Sequence, residues 1–371
     1  MNYDHLLAHR HGDRSGESLT SAVSLDFSVN LAPVESPINP ESLFASTIDI
    51  APYPSMDGRG VREFYASRFG IERQCVLATN GAIEGLYLIP RALGLKRVLV
   101  PQPSFFDYGR ACRVAGADVV PLPLDPSTGF AFPDIDTVTS ALEGCDALMA
   151  GSPNNPTGTL IPKELILALA CRFPDKSFII DEAFIQFTDE FPTNSLMSEI
   201  RAFRNIAVVH SLTKFYAIAG LRLGGVIGHP SMIRRLFGHK EPWTVNTIAE
   251  RAATLLLDCG EFEERVRSIV ADGRRQFSEG LADNPAITLY GGAANFFFAS
   301  VADGIKLDQL LGFLAERGIL VRDCTNFESI PATFFRFCIR TRDENRRLIA
   351  ALNDFAAASE FAKSAVREAV R

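Results

Sequence analysis

Between residues 97 and 210 five short apolar runs recur, at 97–100, 118–121, 147–151, 177–181 and 206–210. Each is too short for a helix, and apolar residues follow one another instead of alternating with polar ones. That is the pattern of a strand buried on both faces. Helix-like stretches lie between most of the runs, and two more, 61–69 and 81–93, precede them. Short buried strands alternating with helices predict an α/β chain with a largely parallel, doubly wound sheet. Such sheets gather ligands in the crevice beyond the carboxyl ends of their strands, so the residues that close each run carry the most information.

The pattern changes after about residue 260. A long charged amphipathic helix is expected over 261–281, and 287–301 contains a strand marked by Phe296, Phe297 and Phe298. A helix over 307–317 stops at Gly318, and strands follow at 319–322 and 334–341. A closing helix over 343–358 puts Leu348, Ile349, Leu352 and Phe355 on one stripe. This order predicts a small α+β domain. Residues 1–35 read as an irregular arm. The expected division is an N-terminal arm over 1–35, a large domain over 36–260 and a small C-terminal domain over 261–371.

Composition narrows the function. The net charge is −7 and no Lys/Arg run is dense, which argues against nucleic-acid binding. No 18-residue apolar span is present, so no transmembrane helix is expected. The polar start Met1-Asn2-Tyr3-Asp4-His5 does not read as a signal peptide. The seven cysteines are dispersed without a C-x-x-C pair. That points away from a disulfide framework or a metal site and toward a reducing cytoplasm.

The last apolar run leads into Ser211-Leu212-Thr213-Lys214, and Arg222 follows eight residues later between Gly220 and Gly224. A lone lysine after a strand is most often a solvated charge; its neighbours change the reading. An amine here can form a Schiff base with an aldehyde, while hydroxyls and a fixed cation can hold a phosphate dianion. Those are the needs of pyridoxal 5'-phosphate. The stretch resembles the motif S-x-x-K-x-x-x-x-x-G-x-R of the fold-type-I enzymes that use this cofactor, and the similarity runs from His11 to about Leu352. It implies an aspartate-aminotransferase-like large domain with a mainly parallel seven-stranded sheet, a small C-terminal α+β domain and an N-terminal arm. It also makes Lys214 the residue bonded to the cofactor.

The same resemblance assigns further roles. Asp181, closing a run before Glu182-Ala183-Phe184, takes the place of the acid beside the pyridine nitrogen, where a helix-capping aspartate is the plainer alternative. Asn155, directly before Pro156, matches the asparagine that bonds the ring oxygen and faces substrate; Asn154 reads as turn scaffolding. Gly81-Ala82-Ile83 opens a helix whose free N–H groups suit a phosphate, with Ser211, Thr213 and Arg222 completing the cup. Phe105 matches the aromatic stacked on the ring. Tyr53, in Ala51-Pro52-Tyr53-Pro54, matches the tyrosine that reaches the neighbouring subunit's cofactor, which implies a homodimer. Arg340 matches the substrate-anion arginine and Arg322 a second one, together suiting a substrate with a carboxylate and a phosphate. His11 and Asn30 in the arm match substrate contacts of one branch.

That branch is the threonine-phosphate decarboxylases. Phe184 stands where many aminotransferases place a tyrosine, and Pro242-Trp243-Thr244-Val245-Asn246 resembles the decarboxylases' P-W-S-V-N. Gly81-Ala82-Ile83-Glu84 looks as much like the histidinol-phosphate aminotransferases, the near relatives. The expected reaction is decarboxylation of L-threonine O-3-phosphate to (R)-1-amino-2-propanol O-2-phosphate in cobalamin biosynthesis. Transamination of histidinol phosphate, or decarboxylation of phosphoserine, is the alternative. A regulatory protein built on this fold needs a DNA-binding domain ahead of it, and the cofactor domain here is read from about residue 25.

Overall fold

The structure, a computed structural model, describes residues 25–44, 49–327 and 329–369, with side chains described to residue 358. The described chain starts with β1 (Leu25–Asp26) and then enters a seven-stranded sheet. Its strands are β2 (Val76–Asn80), β3 (Arg97–Gln102), β4 (Asp118–Pro123), β5 (Ala147–Gly151), β6 (Ser177–Asp181), β7 (Ile206–Ser211) and β8 (Leu223–Gly228). Their spatial order is β2-β8-β7-β6-β5-β3-β4. All five predicted runs are strands of this sheet and pair in parallel.

Both faces of the sheet are dry. Along β6, Phe178 and Ile180 point into one hydrophobic cluster and Ile179 into another. β7 divides the same way, with Ile206 and Val208 on one side and Ala207 and Val209 on the other. Continuous apolar runs are needed because helices cover both faces.

Two strands, β2 and β8, are not among the predicted apolar runs. β8 is antiparallel to both of its neighbours. Its sequence Leu223-Gly224-Gly225-Val226-Ile227-Gly228 is rich in glycine, which normally argues against a strand. Packing explains the glycine. A Cβ at Gly224 would stand 2.7 Å from the His210 carbonyl oxygen and 2.8 Å from the Ala82 amide. The strand therefore lets the Lys214 loop and the Ala82–Leu93 helix close on each other.

The C-terminal part holds a four-stranded antiparallel sheet. It comprises β9 (Ile287–Tyr290), β10 (Phe296–Val301), β12 (Arg322–Asp323) and β13 (Phe334–Cys338), while β11 (Ile319–Leu320) lies just ahead of β12. The expected strand over 319–322 is in fact two. β11 pairs in parallel with β1, and β12 turns to pair with β13 in the other sheet. The predicted 334–341 strand ends at Cys338, and the closing helix extends from Arg342 to Ala369. Phe130, from the large-sheet side, sits among Tyr290, Phe298 and Phe334 with ring centroids 5.3 to 5.6 Å apart. This aromatic cluster anchors the small sheet. Among the described residues no helix is long and apolar enough to cross a membrane.

Candidate active site

β5, β6 and β7 end side by side at Gly151, Asp181 and Ser211. Beyond these ends opens a cavity of about 630 Å³. Its wall brings together Asn30, Ala82, Ile83, Phe105, Asn155, Asp181, Ser211, Thr213, Lys214, Arg222 and Arg322, all assigned from sequence. Arg336, Phe184 and Tyr108 also line it.

Lys214 sits on a tight loop just past β7. The Ile218 amide donates to the Thr213 carbonyl at 3.0 Å, and the Ala32 amide donates to the Lys214 carbonyl at 3.0 Å. The amino-terminal segment thus braces the lysine's backbone.

Asp181 is 7 % exposed. Tyr108 donates to its Oδ2 at 2.9 Å and the Ala183 amide to its Oδ1 at 3.0 Å. Burial pushes the carboxyl up to about 6, although both hydrogen bonds and the Lys214 charge pull the other way. Such an acid, ionised in a dry wall, calls for a cation opposite it. Sequence reasoning misses Tyr108. Its signal is the spacing of three residues from Phe105, against whose ring it packs edge-on at 5.6 Å.

On the other side, the Ala82–Leu93 helix begins after Gly81 with no side-chain cap, leaving its first N–H groups toward the cavity. Gly81 has φ of 73°, and a Cβ there would lie 2.6 Å from Arg222 Nη2. Only glycine lets the guanidinium close over the helix end. Ser211 Oγ and Thr213 Oγ1, 2.8 Å apart, supply hydroxyls beside it. A cup of amides, hydroxyls and a guanidinium suits a phosphate dianion. With the lysine, the buried acid and the Phe105 wall, these residues fit pyridoxal 5'-phosphate.

The arginines need a correction. Arg340 does not line the cavity. It lies past the end of β13, where Nε and Nη2 bond Glu344 Oε1 at 3.0 and 2.7 Å and Nη1 bonds the Asp26 carbonyl at 3.1 Å. Arg336, four residues earlier on the same face, is the arginine in the wall. Its Nη1 donates to Asn155 Oδ1 and its Nη2 to the Ser28 carbonyl at 3.0 Å, while Nε is buried without a partner. Burial, with the charge of Arg322 adding to it, lowers this guanidinium to about 10. Arg322 is its direct cross-strand neighbour. Two like charges facing each other in a cavity wall, one bonded only to neutral oxygens among the described residues, call for an anionic ligand.

Asn154 serves the turn itself, donating to the Pro103 carbonyl at 3.0 Å and to Thr157 Oγ1 at 2.9 Å. Asn30 is buried in the cavity wall, and neither of its amide atoms is hydrogen-bonded among the described residues. Tyr53 is outside this cavity, 80 % exposed, its ring 4.9 Å from that of Trp243. His11 lies outside the described residues. No group of three or more His, Cys, Asp or Glu among the described residues could hold a metal ion.

A family model, aminotransferase class I and II, matches residues 24–352. A threonine-phosphate decarboxylase of Salmonella typhimurium is 30 % identical over 89 % of this chain and 90 % of its own. Among solved structures, the histidinol-phosphate aminotransferase of Clostridium acetobutylicum superimposes with a TM-score of 0.81, covering 90 % of this chain and 99 % of that one. The L-threonine-O-3-phosphate decarboxylase of Porphyromonas gingivalis gives 0.77, covering 89 % and 99 %. Both are 26 % identical to this chain, so likeness to these two structures does not separate the two chemistries.

Proposed function

Because the chain belongs to the class I and II aminotransferase family, whose members use pyridoxal 5'-phosphate, we propose that it decarboxylates L-threonine O-3-phosphate to (R)-1-amino-2-propanol O-2-phosphate. The observation that carries this reading is the Arg322–Arg336 pair facing the cavity that holds Lys214. A substrate with two anionic ends answers two guanidiniums; histidinol phosphate offers only one, so in a transamination only the 2-oxoglutarate half-reaction would use both.

When bound, the cofactor supplies an aldehyde for the substrate amine and a ring that takes up the electron pair released at the α-carbon. Lys214 Nζ would hold it, and is the group in the wall that could move protons to and from the α-carbon. Asp181, held by Tyr108, would keep a proton on the ring nitrogen. The cup formed by the Ala82–Leu93 helix end, Ser211, Thr213 and Arg222 fixes the phosphate tail. Arg336, steered by Asn155 and Ser28, and Arg322, steered by Asn326 at 3.0 Å, orient the substrate's anions. That orientation would select which bond at the α-carbon is placed to break. Asn30, with an unsatisfied buried amide, is a further substrate contact in this reading, and His11 another. Phe184 in the wall offers no hydroxyl to the ring oxygen, which leaves Asn155 as its donor. The reading includes a homodimer in which Tyr53, its ring tilted against Trp243, reaches the neighbouring cup. It also divides the chain near residue 260 into a cofactor domain and a smaller substrate-closing one.

The test is incubation of the purified protein with pyridoxal 5'-phosphate and threonine phosphate, without and then with 2-oxoglutarate. Release of CO₂ without the keto acid is expected. Turnover that requires the keto acid and releases no CO₂ would instead make the protein an aminotransferase of the histidinol-phosphate type. Phosphoserine run in parallel measures how much the substrate's methyl group matters; about 1–3 kcal/mol is the usual scale for one such group.

A further inference from the structure

The Pro242-Trp243-Thr244-Val245-Asn246 segment does more than carry Trp243. Just ahead of it lies Lys240, whose side chain is only 5 % exposed. Lysine is almost never hidden unless paired. Its Nζ is 3.3 Å from Glu84 Oε1 and donates to Thr244 Oγ1. Thr244 Oγ1 in turn donates to Glu84 Oε2 at 2.9 Å, and the Asn80 amide donates to the same oxygen at 2.5 Å. Trp243 between them has φ of 58°, a left-handed turn that sets Lys240 and Thr244 on the same carboxylate.

Glu84 is the third residue of the Ala82–Leu93 helix. A carboxylate there accepts from the Asn80 amide just ahead of the helix and suits the helix dipole. It also stands at the same helix end that forms the phosphate cup. An uncompensated charge at this place opposes a dianion through a low-dielectric wall. The protein keeps the carboxylate and sets the Lys240 charge against it.

We infer that Lys240 is a positioning residue for the cofactor phosphate, acting through Glu84: it neutralises that first-turn carboxylate so that the helix end can accept a dianion. Thr244 locks that carboxylate in place. The inference rests on the cup being the cofactor-phosphate site.

The experiment compares wild type, Lys240→Met, Glu84→Gln and the double variant by equilibrium dialysis against pyridoxal 5'-phosphate and against pyridoxal, which lacks the phosphate. Lys240→Met should weaken pyridoxal 5'-phosphate binding about tenfold and change pyridoxal binding less than about twofold. Glu84→Gln keeps an acceptor for Asn80 and should bind the cofactor at least as well as wild type. The double variant should return close to wild type. Unchanged cofactor binding in Lys240→Met, equal weakening of both ligands, weakened cofactor binding in Glu84→Gln alone, or failure of the double variant to recover would overturn the inference. A wild type that binds the two ligands equally would overturn the phosphate cup itself, a different result from any of these.

Discussion

Replacing Asp181 by asparagine should make the cofactor-free protein more stable at neutral pH, and the gain should depend on pH in a defined direction. The folded carboxyl is held up to about 6 by burial, against about 3.9 for a solvated aspartate. At about 1.4 kcal/mol per pH unit, that gap costs the folded state about 3 kcal/mol once both forms are ionised. Below about pH 4 the group is protonated in both states and costs nothing. Between about pH 4 and 6 the unfolded chain loses its proton first, so wild-type stability falls as pH rises. Above about pH 6 the loss is complete and constant. The asparagine side chain carries no charge and can still accept from the Ala183 amide. The variant's advantage at about pH 7.5 should therefore exceed its advantage at about pH 5.0 by about 1.4 kcal/mol. Urea unfolding of both cofactor-free proteins at the two pH values measures this, and the difference between pH values removes any constant effect of the asparagine itself. An advantage that is equal at both pH values, or larger at the lower one, would show that Asp181 is not a strained acid. The same charge that destabilises the empty protein is what the ring nitrogen needs, so the variant should also hold the cofactor less tightly.

Other expectations follow from the same geometry. Arg336→Gln should raise KM for the substrate roughly 100-fold, the scale for removing one side of a buried charge contact, while leaving the bound cofactor's absorption in place; a rise under about threefold refutes its role. Arg340→Ala should leave KM within about threefold, because its contacts are with Glu344 and Asp26, and a large rise would return it to the substrate site. Lys214→Ala should abolish both turnover and borohydride-stable labelling at that position, so a labelled peptide elsewhere would displace it. If Tyr53 crosses to the neighbouring site, mixing inactive Tyr53→Ala and Lys214→Ala subunits should restore about a quarter of wild-type activity by random pairing; no recovery would sink the crossing.

The sheet is readable because strands covered on both faces must be apolar throughout, and the site because ligands collect where such strands stop. What escapes the sequence has a physical cause in each case. β8 is disguised by glycines that exist for close approach, not for flexibility. Arg336 and Arg340 occupy the same face by alternation, so periodicity alone cannot choose between them. The strand ends at Cys338, and Glu344 four residues beyond Arg340 draws it away. That pairing is visible in the sequence as a spacing of opposite charges. Tyr108 and Lys240 act on groups far away in the chain, Asp181 and Glu84, and no local pattern links them.

The pairing of β1 with β11, and of Ala32 with the Lys214 backbone, ties the earliest described residues to some of the last. During synthesis, the brace behind the lysine emerges from the ribosome first, yet its strand partner emerges almost three hundred residues later. A nascent chain can build most of the large sheet and still lack a finished pocket. Capture of the vitamin therefore belongs to the end of folding, and chains stalled before β11 should accumulate as colourless, protease-sensitive species even when the cofactor is abundant.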